Sequence, residues 1–165
     1  MQFLLKEIHK LIEMEMNSDD IKNFVENNMS MHAILIPEDL VYLKRGGRIS
    51  AAAAALGNML KIVPMLSVED GALDVFDKVR TPKKAYKMAF EFVTQVENLN
   101  DYYFLVLYGG TESEASKELY QKLSEVVDPQ DIYYGPITPV ILAHAGPGTL
   151  GIGYVKKLKS IIENM

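Results

Sequence analysis

Two alternating apolar segments joined by an Asp-Gly turn constrain the fold of this chain more than any other feature. Ile62–Val68 and Leu73–Val79 are rich in β-formers, and Asp70-Gly71 lies between them. Asp-Gly supplies the positive φ angles of a tight hairpin turn, so the segments predict two antiparallel strands. A hairpin in the middle of the chain favours a mixed or antiparallel sheet over a doubly wound parallel one.

The remaining hydrophobic pattern alternates between helices and strands. Further strands are predicted at Met31–Ile36, Tyr102–Tyr108, Ile132–Tyr134 and Thr138–His144. Helices are predicted at residues 2–16, at Asp19–Asn27 with Ser18 as N-cap, from Pro37, at Ser50–Leu60, from Thr81 to Asn98, at Ser113–Val127 and at Tyr154–Asn164. We therefore expect one α/β domain, a mixed and partly antiparallel sheet with helices packed on it.

Composition narrows the functional classes. The chain has 165 residues, a net charge of −5 and no cysteine. Nucleic-acid binding needs concentrated Lys and Arg, so the acidic balance argues against it. The lack of cysteine excludes disulfides, thiol nucleophiles and cysteinyl metal sites, and fits a reducing cytoplasm. Charged residues interrupt the N-terminal segment, whereas a signal peptide has an uninterrupted apolar region there. The longest apolar run, Ala51–Leu56, is too short to span a bilayer.

Lys44–Ser50 (KRGGRIS) is the first candidate binding loop. Gly46 and Gly47 can turn several N–H groups toward one point, and Arg45 or Arg48 can supply a forked cation for a carboxylate or phosphate. A helix ended by Gly-Gly and flanked by two solvated arginines would have the same sequence, so spacing leaves both interpretations open. The loop is not a Walker motif, because no Lys-Ser/Thr pair follows the glycines.

His144 begins the second candidate loop, which continues through Ala-Gly-Pro-Gly with Gly146 and Gly148. At the end of an apolar strand it could donate to an anion, although a lone histidine is more often structural. The three histidines are scattered, so no metal site is predicted, and no GxSxG or GxGxxG motif occurs. These observations predict a binding protein without a cofactor, not an enzyme.

Several separated motifs resemble the DegV family of bacterial fatty-acid-binding proteins. They span roughly residues 18–155, in the family's order: Asp39–Ser50, Leu56–Pro64, Asp70-Gly71 before Lys78–Thr81, Gly135-Pro136 and Ala143–Gly151. The resemblance implies a protein that encloses one long-chain fatty acid and presents its carboxylate to a fatty acid kinase, which makes acyl phosphate. The resemblance implies that His144 contacts the carboxylate of the fatty acid and that Arg48 supports this histidine. It also implies that Arg80 contacts the kinase.

The resemblance covers only the C-terminal lobe of the family. Family members begin with a lobe whose Thr and Ser loops grip the carboxylate from the other side, and no such loop occurs here. We therefore expect residues 1–165 to form a single C-terminal lobe that binds fatty acid weakly or not at all by itself. The face left by the missing lobe is expected to be apolar and to self-associate or dock a separately encoded lobe, and transient membrane contact is possible.

Two other functions compete with the carrier. The family is distantly similar to the substrate domains of dihydroxyacetone kinase, in which a histidine binds substrate covalently, so His144 could act in this way. A truncated module that only contacts partners is the third reading. The apolar segment Ala51–Leu60 suits an acyl chain better than a triose, which favours the carrier.

Overall fold

The computed structural model describes residues 2–29, 31–47, 62–69 and 72–158. The described helices are α1 (Gln2–Glu13), α2 (Ser18–Asn28), α3 (Val41–Arg45), α4 (Pro82–Thr94), α5 (Glu114–Ser124) and α6 (Pro139–Ala145). The strands are β1 (Met31–Ile36), β2 (Val63–Glu69), β3 (Ala72–Val79), β4 (Tyr102–Tyr108), β5 (Ile132–Pro136) and β6 (Leu150–Lys156). The predicted helix Ser50–Leu60 and Arg48 lie outside the described residues, as does the turn Asp70-Gly71.

Six strands form one sheet in the order β3-β2-β1-β6-β4-β5. Only β4 and β5 run parallel, while every other neighbouring pair is antiparallel. Val68 pairs with Leu73 and Glu69 with Ala72, as the Asp-Gly hairpin requires. The predicted mixed, partly antiparallel α/β fold is confirmed.

The sheet buries one face under α4 and α5, which we call the helix-covered face. Side chains alternate along each strand, so every second residue points to this side. Its core is formed by fifteen buried residues, among them Ile34, Val93, Phe104, Leu123 and Ile152. Helix α4 presents Ala85, Ala89 and Val93 to the sheet, and these small residues let the helix lie close to the strands.

The opposite face, which we call the open face, carries α1, α3 and α6. Leu43 of α3 packs on Leu35 and Leu66 of the sheet. The ring of Phe3 in α1 stacks on Tyr103 of β4 with 4.2 Å between centroids and 5° between planes. None of the described helices is long and apolar enough to cross a membrane.

The predicted strand Thr138–His144 is wrong, because Pro139–Ala145 forms helix α6. Proline suits the first helical position, where its missing N–H would have no intrahelical acceptor. A short apolar run does not separate a strand from a helix by periodicity. The last strand is instead Leu150–Lys156, so the helix predicted from Tyr154 does not begin there, and residues 159–165 lie outside the described part.

Other element boundaries moved by a few residues. Asn17, not Ser18, caps α2, since its Oδ1 accepts from the backbone N–H groups of Asp19 at 3.1 Å and Asp20 at 3.0 Å. Helix α3 begins at Val41, not at Pro37. Helix α1 ends at Glu13. The helix predicted to run to Asn98 ends at Thr94, and the helix predicted to run to Val127 ends at Ser124.

Candidate functional site

The predicted site residues that the structure describes gather at one end of the sheet. There β1 ends at Ile36, which pairs with Leu150, the first residue of β6. In the same way β4 ends at Tyr108, which also pairs with Leu150. The segment Gly146–Thr149 before β6 and the loop Pro37–Leu40 after β1 therefore meet at this end.

Gly46 and His144 are in direct contact. Gly46 ends α3 and His144 lies in the last turn of α6, and these two helices pack against each other. A Cβ built on Gly46 would overlap Nδ1 of the imidazole and lie 3.3 Å from its Cε1. Glycine therefore leaves room for the histidine, and the two loops predicted from the sequence are in contact with each other.

The Nδ1 atom of His144 is buried and has no hydrogen-bond partner within the described ranges. A buried ring nitrogen without a partner loses its hydrogen bonds to water and gains none, which costs free energy. Such an exception is uncommon in folded proteins and makes this nitrogen a candidate for contact with a bound polar group. It lies beside Gly46 of the first predicted loop.

Gly146 and Gly148 fit against α3 and the loop that precedes it. Both have positive φ, 85° and 75°, which favours glycine. A Cβ on Gly146 would overlap the ring of Tyr42, and a Cβ on Gly148 would overlap the carboxylate of Glu38. The Ala-Gly-Pro-Gly segment is therefore closed over Tyr42 and Glu38, and its glycines are steric requirements of that packing.

Arg80 lies at the same end of the sheet but apart from His144. It follows the last residue of β3 and is exposed. Strands β2 and β1 separate β3 from β6. Neighbouring strands are about 4.8 Å apart, so the backbone of Arg80 is roughly 14 Å from the start of β6. Gly47 is exposed beside Gly46.

An apolar cavity of about 440 Å³ occupies the open face. Its floor consists of residues from five strands, and its other walls include residues of α1 and α6. The lining includes Phe3, Ala33, Leu35, Leu105, Leu107, Tyr133, Ile141, Gly151 and Gly153. A concave site of this size with a mainly apolar lining is typical of a small-molecule pocket.

Two glycines of β6 create part of that space, and sequence analysis missed them. Gly151 and Gly153 alternate with Leu150, Ile152 and Tyr154, so the glycines point to the open face while the large residues point away. Glycine inside a strand marks a close approach of backbone or ligand. The period-2 pattern Leu-Gly-Ile-Gly-Tyr was the signal that could have found them.

Helix α6 joins the cavity to the histidine. Ile141 lines the cavity, and His144 follows it three residues later on the same side of the helix. The neighbouring Val140 is 75% exposed and Ile141 itself 46% exposed. One wall of the cavity therefore belongs to the helix that carries His144, and the surface of this helix is exposed and apolar at Val140 and Ile141.

A buried polar pair fastens α1 at the other end of the cavity. Glu7 is 2% exposed. Its Oε1 accepts from the Tyr103 hydroxyl and from Lys10 Nζ, each at 2.6 Å. Burial, and then the hydrogen bond to Glu7, raises the pKa of Tyr103 well above its usual range. The hydrogen bond between Glu7 and Tyr103 keeps α1 on the sheet, with Phe3 stacked on Tyr103. We assign this pair a structural role, because Glu7 and Tyr103 bond to each other.

No group of three metal-ligating side chains occurs in the part of the chain that the structure describes. The open face therefore combines an apolar cavity, a buried unpaired imidazole nitrogen and glycine loops. This arrangement can hold an amphipathic molecule with an apolar tail and an anionic or polar head.

Comparison with known proteins gives the same fold and links it to one family. The sequence profile of the DegV family, described as uncharacterised proteins, matches residues 1–157. A DegV domain-containing protein of Clostridium acetobutylicum is 38% identical over 139 residues, which are 82% of this chain and 48% of the relative. The chain spans about half the length of the curated relatives it matches.

Solved structures agree. A fatty acid binding DegV family protein from Streptococcus agalactiae superposes with a TM-score of 0.79 and 27% identity over 93% of this chain and 55% of that one. A fatty-acid-binding DegV family protein from Thermus thermophilus gives 0.75 and 26% over the same shares, 93% and 55%. The profile match covers nearly the whole sequence, and this chain belongs to the DegV family.

Proposed function

We propose that this chain forms one side of a binding site for a long-chain fatty acid. The single observation that carries the proposal is the apolar cavity of about 440 Å³ on the open face, which is lined by Ile141 of α6, the helix that also carries His144. The acyl chain would lie over Gly151 and Gly153, where the absence of side chains leaves room against the sheet. The solved relatives described as fatty-acid-binding proteins support this reading.

The carboxylate would lie at the end of the cavity near His144 and Gly46. An imidazole N–H is a suitable donor to a carboxylate, and hydrogen bonds to charged groups are stronger than neutral ones. Arg48 lies two residues after Gly46 in the sequence and outside the described residues, so its part in the site rests on the family resemblance. Gly47, Gly146 and Gly148 shape the loops around this head-group position.

A second lobe would complete the site. The chain covers 55% of each of the two solved relatives, and exposed Ile141 of the cavity wall lies next to exposed Val140 on α6. Half a head-group site lacks several charged hydrogen bonds, each worth about 1.5–3 kcal/mol. We therefore propose that these residues, as a C-terminal lobe by themselves, bind fatty acid weakly, and that the exposed apolar face docks another lobe or a second copy.

The bound carboxylate would be presented to a fatty acid kinase rather than transformed by this chain. Within the described residues the site offers one histidine and glycine backbone, with no nucleophile beside a base. Arg80 is exposed at the same end of the sheet, where it can contact a partner without touching the cavity. A carrier in the cytoplasm of a bacterium fits this role.

A titration with dodecanoate, followed by methyl NMR, tests the proposal. Methyl resonances of Leu105, Leu107 and Ile141 should shift, whereas those of Val106 on the opposite face should not. Dodecanol should shift the same cavity methyls without shifting the imidazole of His144. Leu107→Trp should fill the cavity and abolish the methyl shifts.

Several outcomes would contradict the proposal. Methyl shifts confined to surface residues would show that dodecanoate does not bind in the cavity. A sub-micromolar affinity for dodecanoate would contradict the proposal that this chain forms only half of the head-group site. A covalent adduct at His144 after incubation with dihydroxyacetone, seen by mass spectrometry, would favour the kinase-substrate-domain alternative. If His144→Ala left ligand binding and kinase-dependent acyl-phosphate formation unchanged, an interaction-only module would be the better description.

A further inference from the structure

A second concave surface lies on the other side of the molecule, between helices α4 and α5. We call it the helix groove. Its volume is about 700 Å³. Its floor is apolar and comes from both helices: Tyr86, Phe90, Ala115 and Leu119. Because α4 and α5 cover the face of the sheet opposite the cavity, a lobe docked on the open face would leave the helix groove accessible.

The rim of the helix groove is basic on a molecule whose net charge is −5. Four lysines and two glutamates line it: Lys83, Lys84, Lys87, Lys122, Glu114 and Glu118. Lys122 donates to Glu118 at 2.6 Å, and Lys87 lies 3.6 Å from Glu91. Lys83 interacts electrostatically with Glu118, whereas Lys84 has no acidic partner among the described residues. The rim still carries four lysines against two glutamates, and two of these lysines lie at the start of α4.

The position of these two lysines opposes the stability of their own helix. The first turn of α4 contains Lys83 and Lys84 and no acidic residue. The positive end of the helix dipole lies there, so each lysine costs roughly 0.3–1 kcal/mol relative to a favourable charge. Thr81 caps the helix, accepting from the N–H of Lys84 at 3.3 Å, so the local sequence is otherwise suited to a helix start. Local disagreement of this kind is characteristic of functional surfaces.

We propose that the helix groove binds an acidic amphipathic segment of a partner protein. Carboxylates of that segment would pair with Lys83 and Lys84, and its apolar residues would contact Phe90 and Leu119. Helix α4 has 13 residues and is therefore about 20 Å long, which matches a partner helix of about three to four turns. Helix-in-groove recognition places apolar anchors on one side of the bound segment in this way.

The shape and charge of the groove favour a peptide over a membrane surface. A flat bilayer does not enter a concave groove, and Glu114 and Glu118 within it would repel anionic lipid. A peptide helix can direct carboxylates to the lysines at one end and place neutral residues beside these glutamates. The proposal therefore commits to a protein segment.

The helix groove reaches the end of the sheet that carries His144. Tyr86 lines the groove, and its pKa is raised by burial first and then by the negative charge of Glu38. Glu38 packs on Gly148 of the candidate head-group loop. A partner held in the groove would thus lie at the same end of the sheet as the presented carboxylate, on the opposite face. This consequence rests on the proposed function, whereas binding in the groove does not.

The test uses the full chain and two synthetic helical peptides of about twelve residues with identical leucine positions. One carries Glu and the other Lys at the polar positions. Calorimetry measures affinity, and backbone NMR locates the peptide. The Glu peptide should bind and shift amides of residues 81–90 and 114–122, with affinity that falls as salt rises. The Lys peptide should not bind.

Charge reversal supplies the matched variants. Lys84→Glu should lower the affinity for the Glu peptide at least threefold. The double variant with Lys83→Glu should lower it about tenfold, which corresponds to roughly 1.4 kcal/mol. Lys22→Glu on exposed α2 should change nothing. Lys84→Glu places an acid at the helix start and should raise the melting temperature, so its loss of binding is not unfolding.

Three results would overturn the inference: equal binding of both peptides, an equal loss with Lys22→Glu, or no binding of the Glu peptide. Binding of phosphatidylglycerol vesicles that Lys84→Glu abolishes, with no peptide binding, would assign the surface to lipid. All arms are run without fatty acid, so they stand apart from the dodecanoate titration. Failure here would leave the proposed fatty-acid site intact, and the reverse also holds.

Discussion

Replacing Gly46 by alanine is the sharpest test of how the two loops form one site. A Cβ at Gly46 would overlap His144 Nδ1 and lie 3.3 Å from Cε1, so the imidazole has to move. The neighbouring Gly47 provides the matched control, because no atom of the described residues lies within 4 Å of a Cβ built there. Both variants add one methyl group, and only Gly46→Ala displaces the histidine.

The magnitudes separate the two variants. Gly46 has φ −78°, which alanine adopts freely, so the smaller entropy of the unfolded chain stabilises the variant by about 0.4–1 kcal/mol. Moving the imidazole off its rotamer costs about 0.5–1.5 kcal/mol, which nearly cancels that gain. A displaced donor loses a charged hydrogen bond worth about 1.5–3 kcal/mol, so dodecanoate should bind about 10- to 150-fold more weakly.

Gly47→Ala should behave in the opposite way. Gly47 has φ +66°, where an L-residue costs roughly 1–2 kcal/mol, so unfolding by urea should show lower stability. Its backbone N–H is retained and its methyl group would contact none of the described residues, so dodecanoate affinity should stay within twofold. Wild-type affinity together with unchanged imidazole resonances in Gly46→Ala would refute the contact on which the site is built.

Two further perturbations test the cavity and its support by urea unfolding. Tyr103→Phe removes a donor from buried Glu7 and should cost about 1.5–3 kcal/mol at neutral pH, whereas Tyr102→Phe should cost little. Because the pKa of Tyr103 is raised in the folded state, its neutral form stabilises the fold fully below pH about 10, where the tyrosine of the unfolded chain begins to ionise. This contribution is lost as the pH rises toward the pKa of the folded state. The Tyr103→Phe variant should lack this decline in stability. The Cβ of Gly153→Ala would lie 2.6 Å from a neighbouring carbonyl oxygen, so this variant should lose at least about 1–3 kcal/mol of unfolding free energy. The Cβ of Gly151→Ala would lie 3.1 Å from a flexible side chain, so this variant should lose less and should narrow the cavity. Equal losses would contradict this ranking.

The sequence determined the elements whose signals are local. Asp70-Gly71 between alternating segments predicted the hairpin β2–β3, and the apolar runs predicted β1 and β4 with their boundaries. Turn chemistry and period-2 alternation act over a few residues, so no distant contact was needed. The glycine loops were likewise visible, although spacing alone left their purpose open.

Tertiary structure decided the identity of the segment around His144. Its apolar run fits a strand or a helix equally by periodicity, and packing of α6 against α3 selected the helix. That choice turned His144 toward Gly46, 98 residues earlier in the chain. A contact at this separation depends on the order of strands, which no local pattern contains.

The cavity likewise exists only in the folded chain. Gly151 and Gly153 are two of the eleven glycines in the sequence. They line the floor of the cavity because β6 lies in the middle of the sheet between β1 and β4. The sequence by itself determined the fold class, the hairpin and the residue types of the site. Tertiary structure decided which of them meet, because cavity and imidazole are set by strand order and by helix packing across the sheet.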